Sequence, residues 1–408
     1  MYCRFCKSKL TDVFVDLGFS PLANSFLKQG DFNNYEKYYP LKVFVCDKCF
    51  LVQTGEEIKA EEIFNTEYLY YSSFSKTWLK HAEDYTQNMI RRFGYDSSSF
   101  IVEIASNDGY LLQYFQKENI PVLGIEPSNG TADLAIKKGI PTRVEYFGKE
   151  TAANLSAQNI KADLLIGNNV LAHVPDINNF VEGMRILLAA NGIITAEFPH
   201  LLQLISRKQF DTIYHEHYFY YSFSAINRIF GKHMLEIFDV EEIPTHGGSL
   251  RIYAKHAGNM KYENSARVKE LTEKEKSVNM DSKDFYKSFQ KQTEAIKISF
   301  LEFLLKQKKL NKKVVGYGAA AKGNTLLNYC GIKNDMINYI IDASPFKQGT
   351  YLPGSHIPVC SEDVLMQDKP DFIIIFPWNI KEEIMNQLSY IKKWNGRFVV
   401  PIPSLEVN

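Results

Sequence analysis

The stretch FIVEIASNDGYLLQYFQKE, Phe100 to Glu118, decides the fold. An apolar run ends in a turn of small and polar residues, and Tyr110, Leu111, Leu112 and Phe115 then follow at helical spacing, the strand–turn–helix opening of an α/β unit. Downstream, PVLGIEP, ADLLIGNNV and IITAEFP read as further strands, with TADLAIKKG and FVEGMRILLAANG as helices among them. Strands alternating with helices, with Gly and Pro at the junctions, predict a parallel doubly wound sheet. A second, smaller series of the same kind starts at KKVVGYGAAAKGNTLLNYCG (Lys312 to Gly331) and runs through MINYIIDASP, FIIIFPW and RFVVPIP. Between the two series, from about Met260 to Lys313, the segment is rich in Lys and Glu and carries Phe285, Phe289, Ile296, Phe300 and Phe303 at helical spacing. This predicts one long amphipathic linker helix with a solvated charged face. Upstream, a helical pattern spans about Ser75 to Phe93.

The chain has 408 residues, enough for several cores, with 45% hydrophobic and 23% charged residues, so neither global disorder nor a fibre fits. Lys and Arg number 47, as do Asp and Glu; with no net positive field, nucleic acid is not an expected partner. MYCRFCKSKL has no apolar signal core and no run of 18 apolar residues occurs, so no membrane partner is expected and the cytoplasm is the expected compartment. Three cores in one chain favour a monomer. The 24 Tyr and 28 Phe fill cores or stack on rings of a ligand, and composition does not choose.

Four of the six cysteines, Cys3, Cys6, Cys46 and Cys49, form two C-x2-C knuckles separated by 39 residues. Two residues between thiolates let a tight turn aim both sulfurs at one tetrahedral ion, so a closed structural Zn2+ shell is expected, with no open position for catalysis. LKVFVC, Leu41 to Cys46, is the segment that brings the second knuckle back to the first. Cys330 and Cys360 read as small buried hydrophobes.

In the deciding turn, Glu103, Ala105, Asn107, Asp108 and Gly109 replace the G-x-G-x-x-G that lets a pyrophosphate approach the backbone. A small-residue turn with acidic strand ends suits S-adenosylmethionine, which has no phosphate. Glu126 ends the second strand about 20 residues on, where a carboxylate can accept from both ribose hydroxyls. Asn168 and Asn169 end a third strand on the same edge.

EFPHLLQLISRKQFDTIYHEHYFYYS (Glu197 to Ser222), YLYYSSFS (Tyr68 to Ser75), THGGSLR (Thr245 to Arg251), the four cysteines and GYGAAAKGNTLLNYCGI together resemble the three-domain sugar C-methyltransferases acting on nucleotide-linked 4-keto deoxysugars. The resemblance spans essentially the whole chain. It implies an α/β protein with a zinc-binding module (1–65), a central Rossmann-like methyltransferase domain binding S-adenosylmethionine (66–258), and a linker helix with a second Rossmann-like domain that binds the nucleotide sugar (259–408). It also implies transfer to C3 of a sugar linked to dTDP, with His217 as the base. Tyr214, His215 and Glu216 stand beside it in YHEH, and Tyr70 resembles the family's active-site tyrosine. An imidazole near its ordinary pKa suits removal of the C3 proton, and a tyrosine suits the developing enolate oxygen. In an extended segment, His215 and His217 would face opposite Tyr214 and Glu216, so only a bent loop lets all four share a pocket. His173, His200, His246, Tyr317 and Lys322 are the expected substrate contacts.

Two other functions compete. Gly316-Tyr317-Gly318 followed by Asp342 about 20 residues later is also the pattern of an NAD-dependent oxidoreductase. That reading explains neither the knuckles nor YHEH, and a non-enzymatic zinc-containing adaptor for nucleic acid would keep the knuckles but lacks a basic surface.

Overall fold

The computed structural model describes residues 1–55, 58 and 71–408, and elements are counted among these. β1 (Asp12–Ser20), β2 (Tyr39–Val45) and β3 (Val52–Thr54) form an antiparallel N-terminal sheet. The middle unit runs through β4 (Ile101–Ile104), β5 (Val122–Ile125), β6 (Thr142–Arg143), β7 (Ala162–Asn168) and β8 (Leu188–Pro199). Next, β9 (Phe219–Tyr220) leaves this sheet and pairs with β3, stitching the N-terminal module onto the middle unit. β10 (Leu235–Ile243) and β11 (Ser249–His256) return as a hairpin.

The resulting seven-stranded order is β10-β11-β8-β7-β4-β5-β6. β4 to β8 are mutually parallel, and β11 pairs antiparallel with both β8 and β10. All four β4 residues are buried, as expected where helices cover both faces of a parallel sheet. The chain builds outward from β4 to β6, then crosses back to β7, so a topological switch point lies between β4 and β7. Ligands bind outside the carboxyl ends of strands at such a point. The antiparallel β10–β11 hairpin departs from the all-parallel expectation: its short turn, Pro244 to Gly248, holds no crossover helix, which a parallel connection would need.

The C-terminal sheet has the order β14-β13-β12-β15-β16-β17, formed by β12 (Val314–Tyr317), β13 (Ile340–Ile341), β14 (Val359–Cys360), β15 (Phe372–Ile375), β16 (Arg397–Val400) and the antiparallel β17 (Glu406–Val407). The linker is three helices, Ala266–Ser277, Lys283–Lys287 and Phe289–Lys309, where one long helix was expected. Asn279 adopts left-handed φ 61° and ends the first, and the Ser282 side chain caps the second by accepting from Asp284 N. The apolar spacing survived these breaks because Phe285 to Phe303 all lie beyond Asn279 and Ser288, between the second and third helices, keeps helical φ and ψ. The upstream helix is Lys76–Phe93, opened by the Ser75 hydroxyl accepting from Trp78 N and closed by Gly94 at φ 72°. Among the described residues no helix is long and apolar enough to cross a membrane.

Candidate active site

The two cysteine knuckles fold by the same device. Lys7 N donates to Cys3 O and Phe50 N to Cys46 O, both at 3.0 Å, with Lys7 and Phe50 in left-handed conformation just past each C-x2-C. The four sulfurs consequently converge within 4.8 Å of one another, with Cys3–Cys49 at 3.6 Å and Cys6–Cys46 at 3.5 Å. Tetrahedral sulfurs about 2.3 Å from zinc would lie about 3.8 Å apart, so the residues fit one structural Zn2+ with a closed shell. Gln53 Nε2 donates to Cys3 Sγ at 3.2 Å, an outer contact of the kind that orients a metal ligand.

At the switch point of the middle sheet, Ala105, Asn107 and Gly109 all adopt positive φ, so the turn after β4 coils tightly. Glu126, 5% exposed, accepts from Asn107 N at 2.9 Å and from Ser128 N at 2.8 Å, with the Ser128 and Thr131 side chains also bonded to it. Burial pushes its pKa up while those amides pull it down. Glu103 is buried with one carboxylate oxygen unpartnered, and Asn168 at the end of β7 is buried with both amide atoms unpartnered. Asn169 beside it has φ 53°. Buried polar groups without partners are rare, and these border the turn where a polar ligand would complete them. The set fits S-adenosylmethionine: carboxylates for hydroxyls and cationic groups, and no phosphate cradle. From the segment ahead of the Lys76–Phe93 helix, Ser72 N donates to Asn107 Oδ1 at 2.9 Å and Ser73 bonds Asp108.

YHEH is bent, and it does not present four residues to one pocket. His217 N donates to Tyr214 O at 3.0 Å, closing a turn that sets the two rings 4.0 Å apart, tilted by 35°. His217 Nδ1 lies 3.0 Å from Thr212 O. A carbonyl only accepts, so Nδ1 carries the proton and Nε2 keeps its lone pair. His173 packs edge-on against His217 at 4.7 Å. Burial first, and then the charges of His173, His246 and Lys322, hold His217 well below the ordinary imidazole range. This differs from the expected near-ordinary pKa, because the sequence does not reveal how deeply the ring sits. His173 and His246 are likewise lowered by burial to about 4.

The other two residues of YHEH face the N-terminal module. His215 Nε2 donates to Pro40 O on β2 at 3.2 Å, and Glu216, 4% exposed, accepts from Asn24 Nδ2 at 2.7 Å. Burial raises Glu216 to about 7. His200 is also committed elsewhere: its Nε2 is 2.8 Å from Glu275, which further accepts from Phe223 N and Ser224 N. Glu197 and Arg251, from EFPH and HGGSLR, pair across β8 and β11 at 2.6 Å. Tyr70 lies outside the described residues.

Lys322 opens the helix Ala321–Cys330 of the C-terminal domain. Its ammonium sits 4.2 Å over the Trp378 ring and donates to Asn379 Oδ1 at 2.8 Å. Burial lowers its pKa to about 8. Tyr317 is buried at the end of β12, its hydroxyl bonded to Gln387. The glycines on either side of Tyr317 serve packing. A Cβ at Gly318 would lie 2.4 Å from Pro377, one at Gly316 would lie 2.6 Å from Phe376, and Ala319 N is already taken by Asp342 Oδ2 at 2.8 Å. The close backbone approach that a pyrophosphate needs is thereby filled, and the oxidoreductase reading loses the feature it rested on.

Sequence reasoning did not single out Asn24, Asp211, Thr325, Trp78 or Trp378, all of which touch this region. Trp78 bridges His81 at 4.8 Å and His246 at 5.2 Å. Trp378 follows the FIIIFP strand end, a position where a strand-end residue of an α/β unit reaches the ligand edge, and that was the available signal.

Residues 3–64 match a family model described as "Putative zinc binding domain", residues 78–239 one described as "Methyltransferase domain", and residues 244–403 one described as "C-methyltransferase C-terminal domain". The chain is 32% identical over 405 residues to C-methyltransferase NovU of Streptomyces niveus, covering 99% of this chain and 96% of that protein. Among solved structures, magnesium protoporphyrin IX methyltransferase of Synechocystis PCC 6803 with bound SAM is 14% identical, with 50% of this chain and all of that chain (100%) covered at a TM-score of 0.37. A S-adenosylmethionine-dependent methyltransferase from Clostridium acetobutylicum ATCC 824 is 11% identical, with 44% of this chain and 92% of that chain covered at a TM-score of 0.35.

Proposed function

The chain belongs to the three-domain family of S-adenosylmethionine-dependent C-methyltransferases, and from that membership we propose that it methylates C3 of a nucleotide-linked 4-keto deoxysugar, with dTDP as the carrier. Relatedness to NovU supports a C-methyl transfer; the sugar, the carbon and the mechanism are our reading of the site. A carbon next to a ketone becomes nucleophilic only as its enolate, so a base and a partner for the C4 oxygen are required. The observation that carries the reading is the Nδ1 bond of His217 to Thr212 O, which leaves Nε2 unprotonated beside Tyr214.

In this scheme His217 Nε2 takes the C3 proton while Tyr214 donates to the C4 oxygen, and Tyr70 is proposed for the same oxygen. Bound S-adenosylmethionine supplies the electrophilic methyl. The C3 electron pair bonds that carbon as the sulfur–carbon bond breaks, the ketone re-forms, and His217 returns its proton to solvent. A low imidazole pKa keeps the base neutral at cellular pH, and donors at the oxygen offset its weak basicity. Glu126, Asn168 and Glu103 are proposed for the methyl donor, and Lys322 and His246 for the sugar nucleotide.

The test is incubation with S-adenosylmethionine and a panel of nucleotide-linked 4-ketosugars, with the product read by mass and carbon–proton NMR. A new methyl group on C3 is expected. Methyl on oxygen, or no transfer to any ketosugar, would overturn the reading.

A further inference from the structure

The carbonyl that sets the His217 tautomer belongs to a short segment of the middle domain gripped on both sides by the C-terminal domain. Residues 210–212 form a single 3-10 turn, followed by Ile213. On one side of Thr212, Trp378 Nε1 donates to Asp211 Oδ2 at 2.7 Å. On the other, Thr325 Oγ1 donates to Ile213 O at 2.9 Å. Asp211 is 1% exposed and Thr325 2%, so neither bond has water as a ready substitute. Phe210 adds an edge-on ring contact with Tyr329, on the same helix as Thr325. Thr212 is held within its own turn, its hydroxyl donating to Gln209 O at 2.7 Å.

Both gripping residues come from the carboxyl edge of the C-terminal sheet at its own switch point. The helix bearing Thr325 follows β12, and Trp378 follows β15, its immediate neighbour. Trp378 also carries Lys322 on its ring face and packs so closely on Gly247 that a Cβ there would meet the ring at 2.4 Å. A ligand entering that edge meets the same elements that hold the turn.

We infer that Trp378, Thr325 and Asp211 are positioning residues: they fix the 210–213 turn so that Thr212 O holds His217 with Nε2 free, making the base competent only when the C-terminal domain is docked on that turn. The inference rests on the reading of His217 as the base. It adds a function for the C-terminal domain beyond holding substrate.

The test uses full-length protein with 15N-labelled histidine, the His217 signals assigned with His217→Asn, alongside kcat, KM and the Kd for S-adenosylmethionine. In wild type, His217 should show a protonated Nδ1 and an unprotonated Nε2. Thr325→Val, which exchanges the hydroxyl for a methyl group of similar size, should mix the tautomers and lower kcat roughly tenfold or more, the scale of a small misplacement of a reacting group, with the Kd unchanged. Thr325→Ser should restore both readouts, and Trp378→Phe should act as Thr325→Val does. A wild-type tautomer and kcat in Thr325→Val would overturn the inference even if Trp378→Phe were impaired, since that loss would then belong to Lys322. If His217→Asn retains turnover, the base assignment fails, and the tautomer signal alone still decides whether the clamp exists.

Discussion

Glu216 illustrates how one residue's surroundings set a measurable pH response. Its pKa is raised to about 7 by burial, with Asn24 the partner that holds it down. In the unfolded chain it returns to the ordinary range near 4.3. Between those values the native state binds more protons than the unfolded state, so this group's contribution falls as pH rises from about 4 to about 7. Glu216→Gln is therefore expected to gain stability relative to wild type across that window, by up to roughly 4 kcal/mol at pH 8, and to show little difference near pH 4. Urea melts at the two pH values check this, and an equal difference at both would show that Glu216 is not the titrating group. Glu126 supports a separate expectation. Glu126→Ala should weaken S-adenosylmethionine by about 1.5–3 kcal/mol, the range for hydrogen bonds to a charged group. Calorimetric titration reads it, and unchanged affinity would move the ribose contact elsewhere.

The turn after β4 is the element on which the cofactor reading depends, and Gly109 is where its geometry is least negotiable. It has φ 74°, and a Cβ would lie 2.2 Å from Ile140 Cδ1, a buried side chain. Gly109→Ala should cost about 1–2 kcal/mol in backbone strain and a further 1–3 kcal/mol in overpacking. A denaturant midpoint within error of wild type would contradict the packing described. This element was legible because its signals are local: an apolar run, small turn residues, then helical spacing. The linker was legible only in its apolar stripe, since the Asn279 break shows in the sequence as a single polar residue. YHEH was legible as a cluster but not as a geometry. Which way its members face is set by Thr212 O, Pro40 and Asn24, and two of those three lie more than 170 residues away.

At the scale of the whole molecule, the zinc module, the methyl-donor unit and the C-terminal domain meet around one loop. The module reaches it through Asn24 and Pro40, and the C-terminal domain through Trp378 and Thr325. Alternating strands and helices disclosed two α/β units, and cysteine spacing disclosed the knuckles. The junction was not readable, because bonds such as Thr325 to Ile213 join residues with no pattern in common. One zinc per chain is expected by elemental analysis of freshly purified protein, and its absence would contradict the closed thiolate shell. Removing the metal with a chelator should lower turnover although the thiolate shell is closed, because the module anchors, through His215 and Glu216, the loop that carries His217. The central claim, enolate formation by His217, is tested most directly by hydrogen exchange without methyl transfer. With S-adenosylhomocysteine in place of the methyl donor and the ketosugar in D2O, wild type should exchange the C3 hydrogen. His217→Asn should bind both ligands and show exchange and turnover reduced by about 10²–10⁴-fold. Exchange at the wild-type rate in His217→Asn would contradict the account and pass the role of proton acceptor to another group of the site.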